Sequence, residues 1–392
     1  MSELSNKKIL MVSYTSFIQK FYQTLPREIA RAGGAAVEVL VPPYWKEIWS
    51  GGKKWLEKSE DPFYRLHVGR IFFPGNLHFA FFRERLASLL KGLQPDIIDL
   101  EDEPFNAGSF QMMWYRRRYT PGSKIVLHAS QHQFKHYPPP FNWVERYVLK
   151  RADAILVRNS MARDVLLRKG YRGILEIVTH GVNTEAFAPR KASALHRELS
   201  PDGKPLVGYI GALAEHKGID HLIRAIRGLP CRLLLVGDGP ERESLMKLAG
   251  EQQVDLCWRP PADHAGVAAY FNALDVFVLP SLTRKNWIEK FGRVLIEAMA
   301  SGVPVIGSES GEIPRVLADA GWTFPEGDEP ILREKITTLL NRPDLRQELA
   351  DRGRRRAEQV YSWQAIAKQT VAVYERILGK NKYTEIPDKP EK

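Results

Sequence analysis

Glu289 and Glu297 stand eight residues apart in the run Glu289-Lys-Phe-Gly292-Arg-Val-Leu-Ile-Glu297-Ala-Met-Ala-Ser-Gly302-Val-Pro304. Gly292 precedes a series of strong helix formers, and Gly302 with Pro304 ends it, so a helix is expected over Arg293 to Ser301. On one continuous helix, carboxylates eight apart would lie ~12 Å apart along the axis and be turned about 80° from each other. A pair that hydrolyses a glycosidic bond needs roughly 5–9.5 Å. The two therefore read as separate clamps, Glu289 on the loop ahead of the helix and Glu297 one turn inside it. An ionised carboxylate accepts strongly from hydroxyl groups, so each suits a sugar; taken alone, Glu297 fits an exposed helical glutamate equally well. The helix N-terminus behind Gly292 offers unpaired N–H groups and partial positive charge, the setting for a phosphate.

A second segment, Gly208-Tyr-Ile-Gly211-Ala-Leu-Ala-Glu-His-Lys217-Gly218-Ile-Asp220, reads as a strand ending at Gly211, a loop carrying Lys217 and a helix starting after Gly218. A lysine projecting from a strand's carboxyl edge can neutralise a leaving diphosphate; a solvated surface lysine is the plainer reading. Leu235-Val-Gly237-Asp-Gly239-Pro-Glu241 repeats the strand, glycine turn and helix start, with Pro240 near the first helical position. The first strand is followed by Ser13-Tyr-Thr-Ser-Phe-Ile-Gln-Lys20, which holds no glycine, so the GxGxxG of dinucleotide dehydrogenases is absent. GxxxxGK[ST], HExxH and a DxD turn are absent too, which disfavours a P-loop kinase and leaves nothing pointing to a required metal.

These segments need a scaffold, and the chain alternates short apolar runs with amphipathic stretches, the pattern of parallel sheets covered on both faces. Strands are expected at Lys8 to Ser13, Val37 to Val41, Asp96 to Leu100, Lys124 to His128, Ala154 to Val157 and Glu176 to Thr179, with a helix at Phe21 to Ala32. A Pro-, Ser- and charge-rich break follows Phe187, after which the alternation restarts with Leu206 to Ile210, Arg232 to Val236, Val276 to Leu279 and Pro304 to Ile306. The reading is an α/β chain of two doubly wound domains, 1–190 and 206–362, joined by a linker at 191–205. A helix at 363–378 is expected to pack back on the first domain, and 379–392 to be a disordered tail. Ligands of such sheets bind beyond the carboxyl ends of the strands.

The chain has 392 residues and a net charge of +11, which favours an anionic partner such as nucleic acid, phospholipid headgroups or a phosphorylated substrate. No zinc finger, RNP-like signature or basic heptad region appears, so nucleic acid is not expected. Cys231 and Cys257 have no CxxC spacing and read as core thiols. The polar start Met1 to Lys8 and the short apolar Ile9 to Val12 do not make a secretory segment, so a cytoplasmic location is expected. Two stretches, Phe79-Ala-Phe-Phe-Arg-Glu-Arg-Leu86 and Met112-Met-Trp-Tyr-Arg-Arg-Arg-Tyr119, set aromatic or Met side chains beside arginines and suggest contact with an anionic membrane surface; packing inward is the competing reading.

Together the Glu289 to Pro304 segment and the Gly211 to Gly218 loop resemble family 4 glycosyltransferases of the GT-B fold, with their E-x7-E and G-x-L-x-x-x-K-G settings. Leu149-Lys-Arg-Ala-Asp153 leading to Asn159-Ser160, and His180-Gly-Val-Asn183-Thr-Glu-Ala-Phe187, add similar marks, so the resemblance covers most of Lys124 to Pro325. It implies two Rossmann-like domains facing each other across a cleft. It also implies a metal-independent, retaining transferase that uses a UDP- or GDP-sugar with no other cofactor, acting on a lipid-linked or saccharide acceptor. By resemblance Glu297 holds the donor ribose, Glu289 the transferred sugar and Lys217 the diphosphate, with Phe291 and Gly292 meeting the donor through their backbone. Gly211 and Gly237 stand with the donor-binding positions, and His132 with the active-site histidine of the N-terminal domain. The family usually carries an arginine after the first glycine of the lysine loop, where this chain has Ala212. Arg293 is the candidate replacement; a surface helix residue is the alternative. A catalytically silent sugar-nucleotide or polysaccharide binder and a sugar-nucleotide epimerase remain as competing functions.

Overall fold

Strand Lys8–Ser13 is apolar at four successive positions, and its side chains divide between two separate cores. Ile9 and Met11 join Val37, Val39 and Val41 under one layer of helices, while Leu10 and Val12 join Met112, Met113 and Leu90 under the other. That is how a parallel strand buried on both faces must read, since successive side chains point to opposite sides. The computed structural model describes residues 4–47, 52–58, 60–190 and 193–379. They divide into two units, one from Met1–Thr179 with Trp363–Lys392 and one from His180–Ser362. Residues 180–190, grouped with the first domain in the sequence reading, thus lie with the second unit.

In the first unit seven parallel strands lie in the spatial order Ile174–Ile177, Ala154–Val157, Lys124–Ala129, Ile97–Glu101, Lys8–Ser13, Ala36–Val41, Tyr64–Val68. The order reverses between Lys8–Ser13 and Ile97–Glu101. Two antiparallel hairpins, Tyr44–Lys46 with Lys53–Trp55 and Ile71–Phe72 with Phe81–Phe82, interrupt the alternation between the second and fourth strands in sequence. The expected helix from Phe21 is two pieces: a tight turn at Lys20–Gln23 and a helix at Thr24–Gly33. The last strand is Ile174–Ile177, ending two residues earlier than expected.

Helix Trp363–Ile377 completes this unit. It buries Ile366, Ala367, Val371 and Tyr374 in the core that also holds Leu4, Leu25 and Ile29. The Tyr374 hydroxyl donates to Asp99, whose carboxylate also lies 2.8 Å from Nε2 of His128. Burial, then the Asp99 charge, holds that phenol well above its ordinary value. Residues 380–392, most of the expected tail, lie outside the described residues.

The second unit has six parallel strands in the order Leu256–Arg259, Arg232–Val236, Leu206–Ile210, Val276–Leu279, Val305–Ser308, Trp322–Phe324. In chain order this is 3-2-1-4-5-6, the doubly wound arrangement. The reversal falls between Leu206–Ile210 and Val276–Leu279, so the loops after these two strands open at the switch point where such sheets bind ligands. Part of the stretch read as a linker is the helix Ser193–Leu199, with Leu199 in the core of this unit and His196 Nδ1 2.9 Å from the Ala273 carbonyl. Its Pro- and charge-rich flanks conceal a short amphipathic turn.

Candidate active site

Two backbone approaches shape the first loop at the switch point. The Gly211 N–H donates to the Val236 carbonyl (2.9 Å), and a Cβ on Gly237 would sit 1.9 Å from the Gly211 carbonyl oxygen, so only glycine lets these two strand ends meet. Downstream, Gly218 has φ 62° and a Cβ there would lie 2.2 Å from the Pro280 carbonyl oxygen. The Leu282 N–H donates to the His216 carbonyl at 2.8 Å. The lysine loop is thereby stitched to the loop that follows Val276–Leu279.

Stitching brings Lys217 and Glu289 together. The Lys217 ammonium is 2.6 Å from Oε2 of Glu289, and the Ser281 hydroxyl donates to the same oxygen at 3.1 Å. The Ser308 hydroxyl in turn donates to the Ser281 carbonyl. The indole of Trp287 covers the pair: its ring centre is 4.5 Å from the Lys217 ammonium and 4.0 Å from the His216 ring. Burial, then the neighbouring Lys217 charge, holds the His216 imidazole below its ordinary value. The Glu289 carbonyl accepts from the Glu312 N–H (3.0 Å), which fixes the base of the side chain.

Gly292, with φ 75°, caps helix Arg293–Ala300. Glu297 is one turn inside and only 8% exposed, so it is a buried acid and not an exposed helical glutamate. Among the described residues its carboxyl has no hydrogen-bond or ion-pair partner at contact distance. Burial pushes it up to about 7, with the Arg293 charge acting the other way. A desolvated carboxyl with no partner is costly to keep, and such groups collect at sites where a ligand supplies what the protein does not. Phe291 is buried against His180 and Tyr361, at ring distances of 5.6 and 5.9 Å, leaving its backbone as the part available to a ligand. Arg293 is exposed at the first helical position. The Ala212 carbonyl accepts from the buried Tyr209 hydroxyl at 2.8 Å.

Eight of the expected positions thus lie in the second unit, on the loops after three strands, Leu206–Ile210, Arg232–Val236 and Val276–Leu279, and on the first turns of helix Arg293–Ala300. His132 belongs to the first unit, in the loop after Lys124–Ala129, half-buried. The switch point of that unit carries a polar group the sequence reading missed. Ser13 and Ser16 donate to Glu101 at 2.6 and 2.8 Å, and Arg158 lies 3.4 Å from the same carboxylate. Ser130 donates to Glu103 through its N–H and its hydroxyl, at 2.7 and 3.0 Å. Asp102 between them is pushed up to about 7 chiefly by burial, although Asn106 and Ser109 donate to it. The signal was the acidic triplet Glu101-Asp102-Glu103 at a strand end. Trp287, a lone aromatic in a polar loop, gave none. Among the described residues no cluster of three or more His, Cys, Asp or Glu is placed to hold a metal ion.

Comparison with known proteins matches residues 23–186 to the family model described as Glycosyltransferase Family 4 and residues 193–356 to Glycosyl transferases group 1. The alpha-maltose-1-phosphate synthase of Mycolicibacterium smegmatis is 29% identical over 262 residues, 60% of this chain and 66% of that protein. That match therefore spans just under two thirds of the relative's length. The GDP-mannose-dependent alpha-mannosyltransferase of Mycobacterium tuberculosis is 28% identical over 313 residues, 76% of this chain and 77% of that one. Among solved structures, Anabaena Alr3699/HepE in complex with UDP superposes with a TM-score of 0.67 at 16% identity, covering 94% of this chain and 100% of the other. The likeness extends to the GT-B fold, and the sequence matches lie on both units: the chain belongs to glycosyltransferase family 4.

Proposed function

We propose that the chain transfers a sugar from a UDP- or GDP-linked donor to a hydroxyl of a lipid-linked or saccharide acceptor, with retention of configuration and without a metal. The observation that carries this is the Lys217–Glu289 pair beside a helix N-terminus, with the buried Glu297 one turn further on. A diphosphate needs cationic and N–H donors, and a sugar and a ribose need fixed acceptors; one switch point holds all of these. A relative named for GDP-mannose and a fold neighbour bound to UDP support a nucleotide-linked donor.

In the proposed reaction the bond from the anomeric carbon to the diphosphate breaks as the acceptor oxygen bonds to that carbon on the same face. The acceptor proton passes to the departing diphosphate oxygen. Lys217 and the N–H groups after Gly292 take up the developing negative charge, with Arg293 standing in for the arginine absent at Ala212. Glu289 orients the transferred sugar, Glu297 holds the ribose, and His132 serves from the first unit. Alignment and charge stabilisation supply the rate. A cytoplasmic location, peripheral on the inner face of the membrane, goes with such donors and with a lipid-linked acceptor in polysaccharide or glycolipid assembly.

The test is a panel of UDP- and GDP-sugars scored first for thermal stabilisation and then for transfer in the presence of EDTA. Glu297→Ala should weaken nucleotide binding by about ten- to a hundredfold, the loss of a charge-assisted hydrogen bond, while Glu289→Ala should chiefly lower turnover. Wild-type kinetics in both variants would overturn the site, and activity lost to EDTA and restored by magnesium would overturn the metal-free reaction. Ala212 favours one competing reading, a silent nucleotide-sugar binder; stabilisation by donors without turnover on any acceptor would support it.

A further inference from the structure

Eleven large hydrophobic side chains are exposed among the described residues, and ten of them belong to the first unit. That imbalance has a centre. In the hairpin of Ile71–Phe72 and Phe81–Phe82, the rings of Phe72, Phe73, Phe79 and Phe81 touch in series at centroid distances of 4.9 to 6.4 Å, and Phe79 continues to Phe141 at 5.4 Å. Phe73 is 58% exposed and holds a left-handed backbone, φ 51°, which bulky residues rarely adopt.

The hairpin is anchored while its aromatic face stays uncovered. The Gln111 side chain bonds both backbone groups of Phe82, at 2.6 and 2.9 Å. The tip is tied to the loop after Ile97–Glu101: the Ala107 N–H donates to the His78 carbonyl, and His78 Nδ1 lies 3.0 Å from Asn106 Oδ1. The apolar face therefore adjoins the polar switch point that carries Glu101, Asp102 and Glu103. Exposed Arg70, Arg83 and Arg85 flank it, against one exposed acid, Glu84. The Arg83 guanidinium lies 4.9 Å over the Phe72 ring. The second stretch named from sequence is divided: Met112 and Met113 are core and Arg116 is paired with Asp153, while Trp114, Arg117 and Arg118 stay exposed.

We propose that this hairpin seats the first unit on an anionic phospholipid bilayer and that the acceptor is carried by that bilayer. Aromatic rings at the headgroup boundary, with arginines beside them facing negative lipids, are how a protein with no spanning helix holds to such a surface; no described helix is long and apolar enough to cross a membrane. The chain's net charge of +11 has the matching sign. A polar strand edge beside an apolar platform fits an acceptor whose hydroxyl-bearing head is joined to hydrocarbon. The identity of the acceptor rests on the proposed sugar transfer; the docking does not.

The test uses the full chain and sedimentation with vesicles of equimolar phosphatidylglycerol and phosphatidylcholine, compared with pure phosphatidylcholine, in dilute and in concentrated sodium chloride. Binding is expected to the anionic vesicles and to weaken with salt. Phe73→Ser with Phe79→Ser should lower the partition coefficient by at least about tenfold, and Arg70→Ser with Arg83→Ser by about thirtyfold in dilute salt. Melting temperatures and nucleotide binding should be unchanged in both, because all four side chains are at least partly open to solvent and lie in the first unit. Equal binding to neutral vesicles, wild-type binding by either double variant, or no binding at all would overturn the proposal. So would a dimer in free solution that dissociates in the Phe73→Ser, Phe79→Ser variant, which would assign the patch to a second copy of the chain. None of these readouts uses turnover, so a failed transfer assay leaves them standing and the reverse holds too.

Discussion

Replacing Glu297 by glutamine removes a charge that the second unit is forced to bury. The carboxyl is raised from 4.5 to about 7, with desolvation as the main cause. Its folded value lies above its unfolded value, so the stability it allows is fully present below about pH 4.5 and is lost as pH rises through about 7. Linkage sets the full size of that loss at about 3 kcal/mol. Glutamine keeps the shape and never ionises. The variant should therefore match the wild type near pH 4 and exceed it by up to about 3 kcal/mol near pH 8. Urea denaturation of both proteins, followed by tryptophan fluorescence across that range, reads the difference directly. The same titration has a ligand side. If the ionised carboxylate accepts from ribose hydroxyls, nucleotide affinity of the wild type should fall about tenfold per pH unit below about 7, and the variant should bind weakly at every pH without that slope. A stability gain of the same size at both ends of the pH range, or a variant less stable than the wild type near pH 8, would refute the assignment of a desolvated acid.

Two further outcomes follow from other parts of the molecule. Ala212→Arg should restore part of the nucleotide affinity lost in Arg293→Ala, because both cations would serve one diphosphate; strict additivity in that double-mutant cycle, measured by calorimetric titration, would show the two positions to be independent. Tyr374→Phe deletes the phenol's hydrogen bond to Asp99 and leaves that buried carboxylate with His128. Denaturant unfolding should show about 1.5–3 kcal/mol lost from the first unit, with nucleotide binding by the second unit intact, and an unchanged midpoint would mean that the bond contributes nothing.

Strands were readable wherever they are buried on both faces, since Ala154–Val157, Leu206–Ile210 and Val276–Leu279 are unbroken apolar runs with turn residues on either side. The two hairpins of the first unit were not, because strands of two or three residues leave no periodicity to count. Lys217 and Glu289 were legible as separate candidates, but their contact was not. It depends on Gly218 meeting the Pro280 carbonyl, a close approach between loops that are more than sixty residues apart in sequence. The burial of Glu297 did leave a trace. Leu295, Ile296, Ala298, Met299 and Ala300 flank it with buried apolar residues, so most of that helix reads as core and only its first turn, at Arg293, is open to solvent. The acidic triplet after Ile97–Glu101 went unread because its partners, Ser13, Ser16, Ser130 and Arg158, come from three other strand ends.

Helix Trp363–Ile377 imposes an order of assembly on the growing chain. The core around Ile9, Met11, Leu25 and Ile29 is closed by Ile366, Val371 and Tyr374, side chains made after the whole of the second unit. At about 5–20 residues per second, a ribosome takes on the order of tens of seconds to travel from the end of the seventh strand to that helix. Throughout that interval the unit begun first exposes one apolar face of its sheet, while the unit begun second has every strand it needs to fold. The unit translated earlier is therefore the later to be completed, and its uncovered face is the surface on which chaperones have the longest opportunity to act.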